Sequence, residues 1–218
     1  MILAHQQIKE AYQRGDIVIS PFDESQIEAA SYDLRVGEQG ATTTTRKLVN
    51  IKENGYILIE PGDFGVVICL EEIKLGPQYA GRIGLRSKFA RKGLIATTGP
   101  QIDPGYHGRL IIGITNLTPQ RVSLSYGEGF ITIEFHRLEQ ATIKPYAGPY
   151  QEKLKLGPDE IAFIVEQESM ALSEVIKTLQ SLSANVGKLV SEVNILKYSI
   201  PVIVTIGIAV IGIIVALK

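Results

Sequence analysis

The chain has 218 residues, a formal net charge of −1 and a single cysteine. That length accommodates one domain of about 150 residues plus an extension, and the balanced charge gives no reason to expect a bulk nucleic-acid binder. Cys69, inside the apolar run GVVICL, cannot found a disulfide framework and reads as a buried core thiol; one cysteine also cannot supply the ligand set of a zinc deaminase.

The opening stretch MILAHQQIKEAYQRGD lacks the long apolar core of a signal peptide. Ile2, Leu3, Ile8, Ala11 and Tyr12 recur at near-helical spacing before Gly15, which predicts a helix over 2–14. IVISPF then reads as a short strand closed by Pro21. After a segment ASYDLRVG at 30–37, the pattern to residue 145 is β. YILIEPGDFGVVICLEEIKL, GRIGL, RLIIGITN, RVSLSY and FITIEFHRL are short apolar or alternating runs split by Pro-Gly and Gly turns. Such a series predicts a mainly β sandwich or jelly-roll barrel.

Beyond Gly157-Pro158 the texture changes. Leu172, Val175, Leu179, Leu182, Val186, Leu189, Val193 and Leu196 alternate in steps of three and four. They form the a/d seam of a coiled coil, widened by Ile176 and Val190 at e positions, and predict a helical bundle between chains. The seam alone does not fix the strand number. Residues 199–217 carry no charge. About 19 residues at a rise of about 1.5 Å span roughly 28 Å, the thickness of a bilayer core. Lys197, Tyr198 and Lys218 flank the run as interface anchors do, and Pro201 falls in its first turn. The chain thus divides into a β domain (1–156), a coiled-coil helix (157–198) and a C-terminal transmembrane helix (199–217). The β domain is expected on the cytoplasmic side.

The chemistry concentrates between Leu85 and Asn116, LRSKFARKGLIATTGPQIDPGYHGRLIIGITN. Arg86, Ser87, Lys88 and Arg91 offer cations and a hydroxyl to phosphate, and Asp103 in the turn after Ile102 offers a fixed carboxylate to a sugar or base. That combination suits a nucleoside triphosphate. His107, beside Tyr106, reads as a solvent-facing turn residue, and His5 and His136 show no pairing pattern.

The same stretch resembles the dCTP deaminase branch of the trimeric dUTPase superfamily. Its G-R-S-S-L-A-R-x-G-L segment is matched at Arg86, Ser87, Ala90, Arg91, Gly93 and Leu94. T-A-x-x-I-D-P-G-[WFY]-x-G is matched at Thr98, Ile102, Asp103, Pro104, Gly105, Tyr106 and Gly108, and the terminal Asn at Asn116. ASYDLRVG resembles the family's A-S-Y-D-L-R-L-G, and Tyr146, Gly148, Tyr150 and Gln151 fit its C-terminal lid, where Pro149 and Lys153 replace a lysine and a glutamine. The resemblance covers about the first 155 residues. It implies a dUTPase-like jelly-roll/β-barrel fold, a homotrimer and a deoxynucleoside triphosphate ligand. Asp33 and Arg35 stand either near a site shared between subunits or as an ion pair that locks a strand.

For function the resemblance implies Ser87 and Arg91 as aids to deamination, with a glutamate that activates the attacking water. That glutamate falls on Gly113, so deamination is not expected. Asp103 and Tyr106 match the Asp and Tyr that orient water and pack on the sugar in the sister dUTP diphosphatases. Nucleotide contacts are expected from Arg86, Ser87, Lys88, Thr98, Asp103, Tyr106, Tyr150, Gln151 and Lys153. No protein-held metal is expected, and Mg²⁺ would arrive on the nucleotide phosphates. The expectation is therefore a membrane-anchored trimeric platform, nucleotide-binding or structural, with an active dCTP deaminase or dUTP diphosphatase as the alternative.

Overall fold

The computed structural model describes residues 1–166 and 172–216. The parts of the helical and membrane readings at 167–171 and at residue 217, and the flanking Lys218, lie outside them. The chain forms two compact units divided between Ser173 and Glu174.

In the first unit, α1 (His5–Gln13) buries Ile8 and Ala11 and ends before Gly15, whose positive φ reverses the chain. The strands follow: β1 (Ile17–Ser20), β2 (Tyr32–Thr42), β3 (Val49–Asn50), and, after the one-turn α2 (Ile51–Asn54), β4 (Tyr56–Ile59), β5 (Phe64–Leu75) and β6 (Tyr79–Leu85). A second one-turn helix, α3 (Ser87–Ala90), leads into β7 (Leu94–Ala96), β8 (Gln101–Ile102), β9 (His107–Asn116), β10 (Val122–Ser125) and β11 (Gly129–Arg137). The sheet runs β7-β9-β5-β2-β11-β6-β8, with β1 added on β5 and β3 on β2, while β10 pairs with β4 apart from it. Every pairing of named strands is antiparallel. The mainly β domain expected from the sequence is thus present.

The exposed strands β1 and β10 alternate buried and exposed residues, as a half-buried strand must. Strands β2 and β5 are buried on both faces over most of their length. They form the middle of the unit, with Tyr32, Leu34, Val67, Ile73, Phe130 and Phe135 at its centre. Each such side chain contributes about 1.5–3 kcal/mol by leaving water. Cys69 is fully buried in this core, and burial pushes its thiol well up, so it is an inert apolar filler.

Burying β5 also buries Glu71, which is fully enclosed. Arg35 neutralises it: Nε donates to Oε1 at 2.6 Å and the Arg35 amide donates to Oε2 at 2.8 Å. The same guanidinium donates to Asp23 and to the Pro21 carbonyl, both at 3.1 Å. Arg35 is therefore the ion pair that locks a strand. Asp33, also buried, pairs at 3.0 Å with Arg86.

Helix α4 (Pro158–Glu166) begins with Pro at its first position, where the missing N–H is no loss. It packs on β2 and β5, with Leu156 and Ile164 buried against Ala41, Val66 and Ile68. Within 157–198, then, the described residues comprise α4, seated on the β unit, and part of the long helix described next.

Helix α5 (Leu172–Ala216) is continuous for 45 residues. Its Thr178–Ile208 portion has mean hydropathy 1.5 and is long and apolar enough to cross a membrane. Pro201 lies inside this helix and not in the first turn of a separate one, so the helical bond to the Lys197 carbonyl is missing there. The seam residues Leu179, Leu182, Val186, Leu189, Val193 and Leu196 are all exposed in the single chain. The side chains of Leu172, Val175 and Ile176 lie outside the described ones.

Arg35→Leu should strand Glu71 in the core and lower unfolding stability by about 3–5 kcal/mol at neutral pH. Burial pushes the Glu71 carboxyl up, against the lowering by its Arg35 bonds. A raised folded-state value means that the group favours the fold below its unfolded value and that this is lost as pH rises through the folded one. The deficit of Arg35→Leu against the parent, read by denaturant titration, should therefore shrink as pH falls through the carboxylate range.

Candidate functional site

A cavity of about 800 Å³ opens on the first unit, floored by β6 and β9 residues including Ile83, Ile112 and Gly113. One wall is the turn from Asp103 to Tyr106. The Tyr106 amide donates to the Asp103 carbonyl at 3.2 Å, so the main chain closes the turn and the carboxylate remains on the cavity wall, held by Gln101 Nε2 at 2.8 Å. Gly105 is required in this turn: its φ is +85°, and a Cβ would meet Pro145 at 2.5 Å. Tyr106 is buried against Tyr146, with ring centroids 5.6 Å apart, and its hydroxyl donates to the Arg109 carbonyl at 3.0 Å. Burial pushes that phenol up, so it stays neutral.

Thr98 also lines the cavity, but its hydroxyl is engaged: Oγ1 accepts the Gly113 amide at 2.7 Å. Tyr150 lines the cavity as well. Gln151 stands beside the cavity as a clamp on the turn, donating to the Gly105 carbonyl at 3.0 Å and accepting the His107 amide at 3.1 Å. Lys153 is paired with Glu160 and lies 5.4 Å from the Tyr150 ring centroid.

The structure thus brings Thr98, Asp103, Tyr106 and Tyr150 together on one cavity, with Gln151 and Lys153 at its edge. The α3 group is not among the residues that line it. Arg86 caps Asp33 and reaches Glu28 at 4.0 Å, Lys88 pairs with Glu128, and Ser87 and Arg91 are exposed. His107 is not a free turn residue. It opens β9 opposite Lys74, and its Nε2 lies 2.5 Å from Glu72.

Sequence reasoning missed several contributors. Thr97 and Phe64 line the floor, and α4 brings Asp159 and Glu160 to the rim. Gly-Pro-Asp-Glu at 157–160 is a legible helix start, but nothing local says where that helix docks. In consequence the charged groups lining the cavity are the carboxylates Asp103, Asp159 and Glu160, with no Lys, Arg or His among the described lining residues. Glu160 is pushed up by burial, but the Lys153 ammonium and the Gly157 amide together hold it below the usual carboxylate range. No cluster of three or more His, Cys, Asp or Glu is placed to hold a metal ion among the described residues.

Gly113 is buried in β9, opposite Val66 of β5. A Cβ there would lie 2.5 Å from Thr97 Oγ1 and 3.3 Å from the Phe64 ring. A side chain there would have to displace the Thr97 hydroxyl.

The dCTP deaminase-like family model matches residues 2–138. The chain belongs to the dCTP deaminase-like family. It is 39% identical to the dCTP deaminase of Thermococcus sibiricus over 150 residues, which is 68% of this chain and 94% of that one. Against the dCTP deaminase of Thermococcus kodakarensis it is 41% identical over 138 residues, 63% of this chain and 87% of the other. The fold resembles the crystal structure of 2'-deoxycytidine 5'-triphosphate deaminase from Agrobacterium tumefaciens, with a TM-score of 0.53 at 19% identity. That likeness covers 62% of this chain and spans 46% of the other, so it speaks for the fold alone. The family match ends before the strap and helices that follow β11.

Gly113→Ala should destabilise this family member by about 1–3 kcal/mol through overpacking. Thr97→Ala in the same chain should recover most of the loss in thermal unfolding, because the nearest obstructing atom is the Thr97 hydroxyl.

Proposed function

We propose that this chain is a membrane-anchored, trimeric dCTP deaminase-like protein that serves as a nucleotide-binding or structural platform and does not deaminate. Gly113 carries this reading. The family resemblance assigns the water-activating glutamate to that position, and here it is a buried glycine hemmed in by Thr97 and Phe64. A general base contributes about 10²–10⁴-fold, and glycine has no group to act as one.

Assembly is supported by the split between the cations and the cavity. A triphosphate in a cavity whose charged lining is carboxylate needs cations from elsewhere. Arg86, Ser87, Lys88 and Arg91 on and beside α3 would supply them from a second copy, facing Thr98, Asp103, Tyr106, Tyr150, Gln151 and Lys153 of the first. A closed ring of three satisfies every copy alike. The same three-fold arrangement would cover the exposed seam of α5, and its uncharged end would anchor the trimer with the β unit on the cytoplasmic side.

A second reading rests on Asp103, whose carboxylate stands on the cavity wall beside Tyr106. There it would orient a water for hydrolysis of dUTP to dUMP and diphosphate, with Mg²⁺ carried on the substrate phosphates.

The test is incubation of the full chain in lipid nanodiscs with Mg²⁺ and either dCTP or dUTP, followed by product separation and a mass measurement. The expected result is a particle of three 23.9 kDa chains with no turnover of either nucleotide. Release of dUTP or dUMP from dCTP would overturn the reading of Gly113. Conversion of dUTP alone, abolished by Asp103→Asn, would establish the diphosphatase instead.

A further inference from the structure

The chain after β11 returns across the cavity and ends in a helix that the family match does not include. This strap is fixed at successive points. The Tyr146 amide donates to the Pro104 carbonyl at 2.8 Å, the Glu152 amide to His107 at 2.7 Å, and the Arg109 amide to Lys153 at 2.8 Å. The Leu156 amide then donates to Gln39 Oε1 at 3.0 Å. From there α4 seats Leu156 and Ile164 in an apolar cluster of β2 and β5 residues, beside Phe64 and Ile111, which also line the cavity. Ile164 is fully buried. The docking carries two carboxylates, Asp159 and Glu160, onto the rim, and it engages the ammonium of Lys153, which stands beside the cavity.

We propose that α4 is an internal plug of the nucleotide cavity, holding Asp159 and Glu160 where they repel a triphosphate and keeping Lys153 neutralised, so that phosphate binds only when α4 is displaced. This rests on the reading that the cavity takes a nucleotide. One feature separates a plug from a lid that closes over ligand: a lid would present donors to the phosphates, whereas α4 presents the carboxylates of Asp159 and Glu160. The buried side chains of Leu156 and Ile164 hold them there.

The test compares the full chain in nanodiscs with two variants that act by different routes. Ile164→Asp puts a charge into the apolar seat and should eject α4. The double change Asp159→Asn with Glu160→Gln keeps the seat and removes the repulsion. Binding of dCTP, dUTP and inorganic tripolyphosphate is measured by calorimetry, with uncharged deoxycytidine as control, and hydrogen exchange is followed over 158–166. Both variants should bind the three anions at least ten-fold more tightly than the parent and deoxycytidine about equally, and saturating anion should speed exchange in parental α4. Equal or weaker anion binding by the variants, with slower exchange in α4 on binding, would overturn the plug and leave the nucleotide-binding reading standing. No binding by any of the three proteins would remove the nucleotide reading and the plug with it.

Discussion

Strand β5 is the constraint on which the β unit depends. It is twelve residues long, pairs with β1, β2 and β9, and is covered on both sides over most of its length. A strand so placed has to be apolar, yet it carries Glu71, fully buried. The fold resolves this conflict by spending Arg35 of β2 on that one carboxylate, with Asp23 and the Pro21 carbonyl each accepting from one of its other two nitrogens. An isolated buried charge is expensive enough to be excluded, whereas a hydrogen-bonded pair is tolerated and fixes which strand lies beside which. The ASYDLRVG segment is therefore as much a statement about β2 and β5 register as about any ligand.

From that frame follow the position and the character of the cavity. β9 pairs along β5, so Gly113 is set against Val66 and near Phe64, and Thr97, the residue after β7, lies against it. The turn at Asp103 is held by main-chain bonds and by Gln151, and its carboxylate stays on the cavity wall with one oxygen bonded to Gln101. The cations of α3 are employed elsewhere in the same chain, with Arg86 on Asp33 and Lys88 on Glu128. One chain therefore shows a well-formed pocket of the wrong sign for phosphate, and its α3 cations lie outside the pocket lining.

Much of this was legible in the residues. The β pattern, the short helix before Gly15, the long helix and its uncharged end are all carried by local periodicity, which is a property of neighbours in sequence. The family motifs placed Thr98, Asp103, Tyr106 and Tyr150 on one site because they sit on a turn and a strap that the motif fixes. What was hidden depends on contacts between distant segments. His107 looked like a turn residue because its partner, Glu72, is 35 positions away on β5. The docking of α4 was invisible because its seat is assembled from β2 and β5 residues more than 80 positions upstream. The continuity of α5 through Pro201 overrode a local rule, since a helix that loses one backbone bond can still be held by the turns on either side.

The contact between Gly113 and Thr97 couples two positions. The hydroxyl of Thr97, the residue after β7, stands 2.5 Å from where a first carbon at 113 would be. A larger residue at 113 alone meets that hydroxyl, whereas the same residue paired with a smaller one at 97 does not. The effect of a substitution at 113 therefore depends on what stands at 97, as expected for residues in contact. A survey of single substitutions would score position 113 as closed to side chains, although a pair of changes would open it.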